Sequence, residues 1–180
     1  MREGKNIIRI ETVISETKNI EPCYLLGDFG LEIEDGLFRI IQKREKIGFE
    51  PLAYVGMLFY GGDIIYKTEI ETSDCTEKIH VTDFGAHCVR VFADGEDIGL
   101  IALAPFCIEK RLKKGRHTIE FLCRGNRNNT LGPIHNSRMN DPDYYITPGA
   151  WNSECEFFRN GYFLHNTGIL STPIIEIFED

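Results

Sequence analysis

Period-two alternation of apolar and polar residues constrains this chain more than any other feature of its sequence. It comes in short runs separated by Gly, Asp, Asn and Pro. That period puts successive side chains on opposite faces of a β-strand, and no long amphipathic helical repeat competes with it. The clearest run is 64–71, where Ile64, Tyr66, Thr68 and Ile70 take one face and Ile65, Lys67, Glu69 and Glu71 the other. The first face reads as core and the second as partly wet. Residues 88–93 set Val89, Val91 and Ala93 against Cys88, Arg90 and Phe92. They end in Asp94-Gly95, a dipeptide suited to a type I′ hairpin turn, with 98–103 as the return strand. After the turn Lys113-Lys114-Gly115, residues 117–123 are apolar enough on both faces to place that strand centrally.

Further strands are expected at 24–29, 37–41, 78–82, 106–109, 161–164 and 174–178, about nine or ten in all. Many short strands with regular turn signals predict an all-β chain, a jelly-roll β-sandwich. Two stretches lack strand character. Residues 1–22 read as a lead-in or linker from an upstream region, leaving 23–180 as the sandwich module. The run from Arg124 to Ala150 reads as a long loop, and long loops in compact domains are commonly functional.

Composition narrows the functions. Lys and Arg number 20 against 28 Asp and Glu, a net charge of −8, with a pI near 5.2. That balance lacks the basic footprint nucleic acid demands and is repelled by anionic lipid. With no apolar run of membrane-spanning length and no export leader at the start of the sequence, the default expectation is a cytoplasmic protein. The six cysteines form no CxxC pair and no zinc-spaced cluster, and they read as buried free thiols.

No nucleophile elbow, dinucleotide fingerprint or P-loop occurs, and Gly61-Gly62 reads as a turn before the strand at Ile64. Carboxylate pairs are too abundant to single one out. Glu69 and Glu71 share a strand face best read as solvated, and His80 and His87 lack a metal-ligand spacing. The 124–151 loop differs. It mixes Arg124, Asn126, Arg127, Asn128, Asn129, His135 and Asn136 with Tyr144, Tyr145 and Trp151. Guanidinium and amide groups bond sugar hydroxyls, and flat rings stack on the C–H face of a sugar. The plainer alternative is that these amides satisfy backbone groups of an irregular loop while the aromatics plug the end of the sandwich. Asn128-Asn129-Thr130 also forms a glycosylation sequon, expected to be incidental in an Asn-rich loop.

The order of several motifs resembles a galactose-binding-domain-like β-sandwich, the non-catalytic accessory module of glycoside hydrolase family 2-like proteins. The motifs are Tyr24-Leu25-Leu26-Gly27-Asp28-Phe29, Phe59-Tyr60-Gly61-Gly62 with Ile65-Tyr66, and the hairpin Val91-Phe92-Ala93-Asp94-Gly95 with Ile98-Gly99. Ala104-Pro105-Phe106 follows, then Arg127-Asn128-Asn129-Thr130-Leu131-Gly132-Pro133-Ile134-His135, Thr147-Pro148-Gly149-Ala150-Trp151 and Gly168-Ile169-Leu170. Asp94 stands where the family pattern has Asn, and an extra Asn lengthens the loop. The resemblance implies an accessory domain whose catalytic carboxylates lie on an upstream domain. It requires no cofactor and allows a structural calcium, although no Asp-x-Asp-x-Asp loop is present to hold one.

The residues expected to contact carbohydrate are Tyr60 or Trp151 as stacking platform and Arg124, Arg127, Asn128 and His135 as hydrogen-bonding groups. The expected partner is thus a carbohydrate or the upstream catalytic domain. Two other functions fit the sequence: a docking or oligomerisation element without sugar binding, and a small glycoside hydrolase using a carboxylate pair.

Overall fold

A computed structural model describes residues 4, 6–13, 15–16, 23–132, 134–138, 141 and 152–178. The described chain is all-β, as the alternation predicts, and every strand pairing in it is antiparallel. A four-stranded sheet has the order β3 (Ile64–Thr72), β9 (Gly115–Arg124), β6 (Cys88–Ala93), β7 (Glu96–Ile101). A three-stranded sheet has the order β11 (Ile174–Phe178), β4 (Cys75–His80), β8 (Cys107–Leu112). Two small pairs complete the set: the hairpin β1 (Gly30–Glu34) with β2 (Leu37–Ile41), and β5 (Phe84–Gly85) with β10 (Gly168–Ile169).

The predicted faces hold. Tyr66 on β3, Val89, Val91 and Ala93 on β6, and Ile119, Phe121 and Cys123 on β9 point inward. They meet Ile79 of β4, Leu112 of β8 and Ile169 in one core cluster. Burial pushes the Cys123 thiol up to about 12, so it stays protonated and packs as a small apolar group. The core also holds a fully buried carboxylate. Glu77 of β4 accepts the Cys75 Sγ–H at 3.3 Å and the Leu112 backbone N–H at 3.2 Å, ligands that replace the water it has lost.

Asp94-Gly95 makes the expected turn, with φ of 50° and 82°, and its return strand begins at Glu96, two residues earlier than 98. The β6–β7 register shifts between Val91 and Phe92, which moves the pairing. β9 is central, although Thr118, Glu120 and Leu122 on its outer face are only half-buried.

Residues 24–29 are not a strand. Tyr24, Leu25 and Leu26 are exposed, and pairing begins at Gly30 because Asp35-Gly36, with φ of 51° and 75°, makes a second hairpin turn with 37–41 as its return. Residues 161–164 are likewise irregular. The cysteines are all free thiols, but Cys23 is exposed and Cys88, Cys107 and Cys155 are only half-buried.

Candidate functional site

β3 and β9 pair with Ile64 opposite Cys123, so the chain entering β3 and the chain leaving β9 share one end of the four-stranded sheet. There the segments 60–63 and 124–130 touch backbone to backbone. A Cβ on Gly125 would stand 2.1 Å from the Gly62 carbonyl oxygen, and one on Gly61 would stand 2.8 Å from the Asn126 carbonyl oxygen. Gly61 therefore serves a close approach as well as a turn.

Asp63 joins the two segments. Its carboxylate pairs with the Arg124 guanidinium and accepts the Gly125 N–H at 3.2 Å, while its backbone carbonyl accepts the Tyr60 hydroxyl at 3.0 Å. Thr130 adds a hydroxyl bond to the Phe59 carbonyl at 2.5 Å.

Four of the six expected site residues, Tyr60, Arg124, Arg127 and Asn128, therefore gather at this end. Tyr60 is half-exposed, with its ring fixed over the Gly61-Gly62 turn. Arg127 and Asn128 are exposed, at the start of the single helical turn α1 (Asn128–Leu131). Among the described residues, neither their guanidinium nor their side-chain amide has a hydrogen-bond partner. Arg124 differs, since its charge is engaged by Asp63.

The plainer reading of the loop holds for its neighbours. Asn126 donates to the Gly85 carbonyl at 3.3 Å and accepts the Asn128 N–H at 3.1 Å. Buried Asn129 clasps the His165 backbone from both sides at 2.8 Å.

His135 stands beside this cluster. Its Nδ1 faces the carbonyls of Arg159 (3.2 Å) and Gly161 (3.0 Å), so that nitrogen carries a proton. Its ring lies 4.5 Å from Tyr162, which meets Phe38 at 4.6 Å and Phe59 at 6.4 Å. An aromatic run thus links His135 to the residue next to Tyr60. Trp151, with Tyr144 and Tyr145, lies outside the described residues.

The sequence reading missed a shallow polar cleft of about 440 Å³ lined by Asp28, Gln42, Lys43, Arg44 and Glu45. Lys43 donates to Asp28 at 2.6 Å, and this bond and the Asp28 charge hold its ammonium above the ordinary range; Tyr60 lies within electrostatic reach and adds to the effect. The run Lys43-Arg44-Glu45-Lys46, one residue beyond the strand 37–41, was the available signal.

Glu69 and Glu71 lie on the solvated face expected of them, with Glu69 3.5 Å from Arg116. His80 contacts Glu176. For calcium, no three His, Cys, Asp or Glu side chains converge among the described residues. Asp63, the carboxylate at this sheet end, is held by Arg124 and Gly125. Among the described residues, no helix is long and apolar enough to cross a membrane.

No protein-family model and no curated protein sequence matches this chain. Matching solved structures include a rhamnosidase from Novosphingobium sp. PP1Y, with TM-score 0.48 and 14% identity over 82% of this chain and 14% of that one. They also include a GH2 β-galacturonidase from Eisenbergiella tayi bound to galacturonate, with TM-score 0.38 and 22% identity over 58% of this chain and 18% of that one. These two are glycoside hydrolases, and this chain spans less than a fifth of the length of each.

Proposed function

We propose that the chain is a non-catalytic accessory domain of a glycoside hydrolase-like protein, a jelly-roll sandwich of the galactose-binding-like type that binds carbohydrate at the β3–β9 end. One observation carries this reading: the exposed Arg127 and Asn128 side chains, unengaged by the described residues, stand on a segment locked against the Tyr60-Gly61-Gly62 turn. Asn126 and Asn129 fix the loop through its backbone, so the exposed donors sit on a framework that is already ordered. Ordering before binding reduces the entropic cost of capturing a weakly held ligand.

A sugar would stack its C–H face on Tyr60, take hydrogen bonds from Arg127 and Asn128, and reach the polar cleft around Lys43. Arg124 orients Asp63 and hence Tyr60, His135 supplies a hydrogen-bonding group, and Trp151 is the alternative stacking ring. Residues 23–180 form the binding unit, the protein acts in the cytoplasm, and calcium is not needed for binding.

The test is a glycan-binding screen on the whole chain, with and without calcium, followed by titration of the best ligand. Arg127→Ala and Tyr60→Ala are each expected to weaken binding by about tenfold or more, about 1.4 kcal/mol; melting temperature is unchanged in Arg127→Ala and slightly lowered in Tyr60→Ala, which also loses the bond to Asp63. Arg116→Ala, at the far end of β9, should bind as the parent does. Equal binding by all three variants, binding that requires calcium, or a screen without any ligand would overturn this reading. Turnover of an aryl glycoside that survives repurification would overturn its non-catalytic part.

A further inference from the structure

Among the described residues, the three-stranded sheet ends on a strand paired on one side only. β11 pairs with β4 on one side and, among the described residues, with nothing on the other, and Ile174, Ile177 and Phe178 are 47–59% exposed. Soluble proteins usually protect such an edge with charged side chains, proline or a bulge, because its unpaired N–H and C=O groups template another strand. Glu176 is the one charge on β11, which has no proline or bulge within Ile174–Phe178.

A second exposed segment lies near the other end of the described residues. Ile7, Ile8, Ile10 and Val13 are 64–81% exposed, and residues 7–13 join no sheet among the described residues. Arg9 and Glu11, two residues apart, form an ion pair at 2.5 Å, which places both side chains on one side of an extended backbone.

We propose that residues 7–13 of one copy add as an antiparallel strand to β11 of a second copy, and that the exchange is reciprocal, giving a closed two-fold dimer. Register supports the pairing. With Arg9 opposite Glu176, Ile8 falls opposite Ile177, Ile10 opposite Ile175 and Ile7 opposite Phe178. Opposed residues share a face, so Ile8 and Ile10 join Ile175 and Ile177 on the side turned toward the core, and Arg9 lies on the outer side.

Charge supports it as well. Across the outer face, Glu109 pairs with Lys78 at 3.2 Å, and Lys78 stands opposite Glu176 in the ladder. Minus, plus, minus is then continued by Arg9 with plus. A second copy is the occupant because the segment does not lie on its own β11. Direct β11 self-pairing centred on Glu176 would set like charges face to face. Reciprocal exchange also closes the assembly, whereas one-way addition would build open chains.

The test measures mass against concentration by light scattering on the whole chain, with amide exchange on residues 7–13. A dimer is expected, with protection of 7–13 that rises with protein concentration. Arg9→Glu and Glu176→Arg should each weaken dimerisation by about tenfold or more; Arg9→Glu should leave the melting temperature of the monomer unchanged, whereas Glu176→Arg, beside Lys78 and His80, should lower it slightly. The double variant should recover most of that loss. A monomer at every concentration, protection of 7–13 within a monomer, open-ended oligomers, or a dimer indifferent to both charge reversals would each overturn the proposal.

Discussion

His117 and Asp94 show how much a single pair of side chains determines here. His117 Nδ1 lies 2.6 Å from the Asp94 carboxylate and Nε2 lies 2.8 Å from the Lys113 carbonyl, so both ring nitrogens face acceptors and the imidazolium is favoured. The Lys113 carbonyl and then Asp94 raise the histidine above its ordinary 6.5, while the Thr118 N–H and then His117 lower Asp94 below 3.8. The histidine's contribution to stability is complete below 6.5 and is lost as pH rises through its raised folded value. The aspartate's is complete above 3.8 and is lost as pH falls through its lowered folded value. His117→Gln should therefore lower the melting temperature most near about pH 5, by about 2–4 °C, and least near about pH 9. Equal losses at both pH values would show that packing, not charge, is what the ring supplies. Sequence alone identified Asp94 as a turn residue, because that role is local. Its bond to His117 spans 23 positions, and the Asp63–Arg124 pair spans 61, so neither was legible before the strands were paired. Arg124 was expected to be a sugar donor for that reason.

At the scale of elements, alternation located the strands with one buried face, such as β3 and β6, and also the largely exposed 37–41 and 174–178, but it missed 30–34. Residues 24–29 alternate weakly and face solvent, and only the Asp35-Gly36 turn shows that 30–34 is the strand to pair with 37–41. The four gathered site residues were legible as a composition; their gathering follows from the β3–β9 register and from glycines that let two loops touch. Gly125→Ala tests that contact, since its Cβ would overlap the Gly62 carbonyl at 2.1 Å and one backbone must move. A loss of about 1–3 kcal/mol in urea unfolding is expected, together with weaker glycan binding. Gly161→Ala, whose Cβ meets nothing within 4 Å, should change stability by less than about 0.5 kcal/mol. If Gly125→Ala matched it, the two loops would be energetically separate and the site would lack its framework.

Across the whole molecule, the two larger sheets share one core, while the β1–β2 hairpin lies beside it and is held differently. Ile119 and Phe121 of β9 are fully buried between neighbours on both sides, so opening them requires the core to open. The hairpin exposes Ile33, Leu37, Phe38 and Ile40 and is attached by the Leu31 N–H to the Gly56 carbonyl at 2.8 Å and by Phe38 against Phe59 and Tyr162. A two-stranded hairpin is marginal by itself, so those few attachments set its opening free energy. Native-state amide exchange should show β9 opening only with global unfolding and the hairpin opening by roughly 2 kcal/mol or more below that limit. Phe38→Ala should speed exchange in 30–41 while leaving β9 unchanged. Protection of the hairpin equal to that of β9 would instead make it part of the core unit, and Phe38→Ala would then destabilise the whole domain. The distinction bears on binding, because Phe59 lies against Phe38 and next to Tyr60. In a hairpin that opens alone, loss of its aromatic contact would free the Tyr60 platform and weaken glycan binding without unfolding the sandwich that carries Arg127.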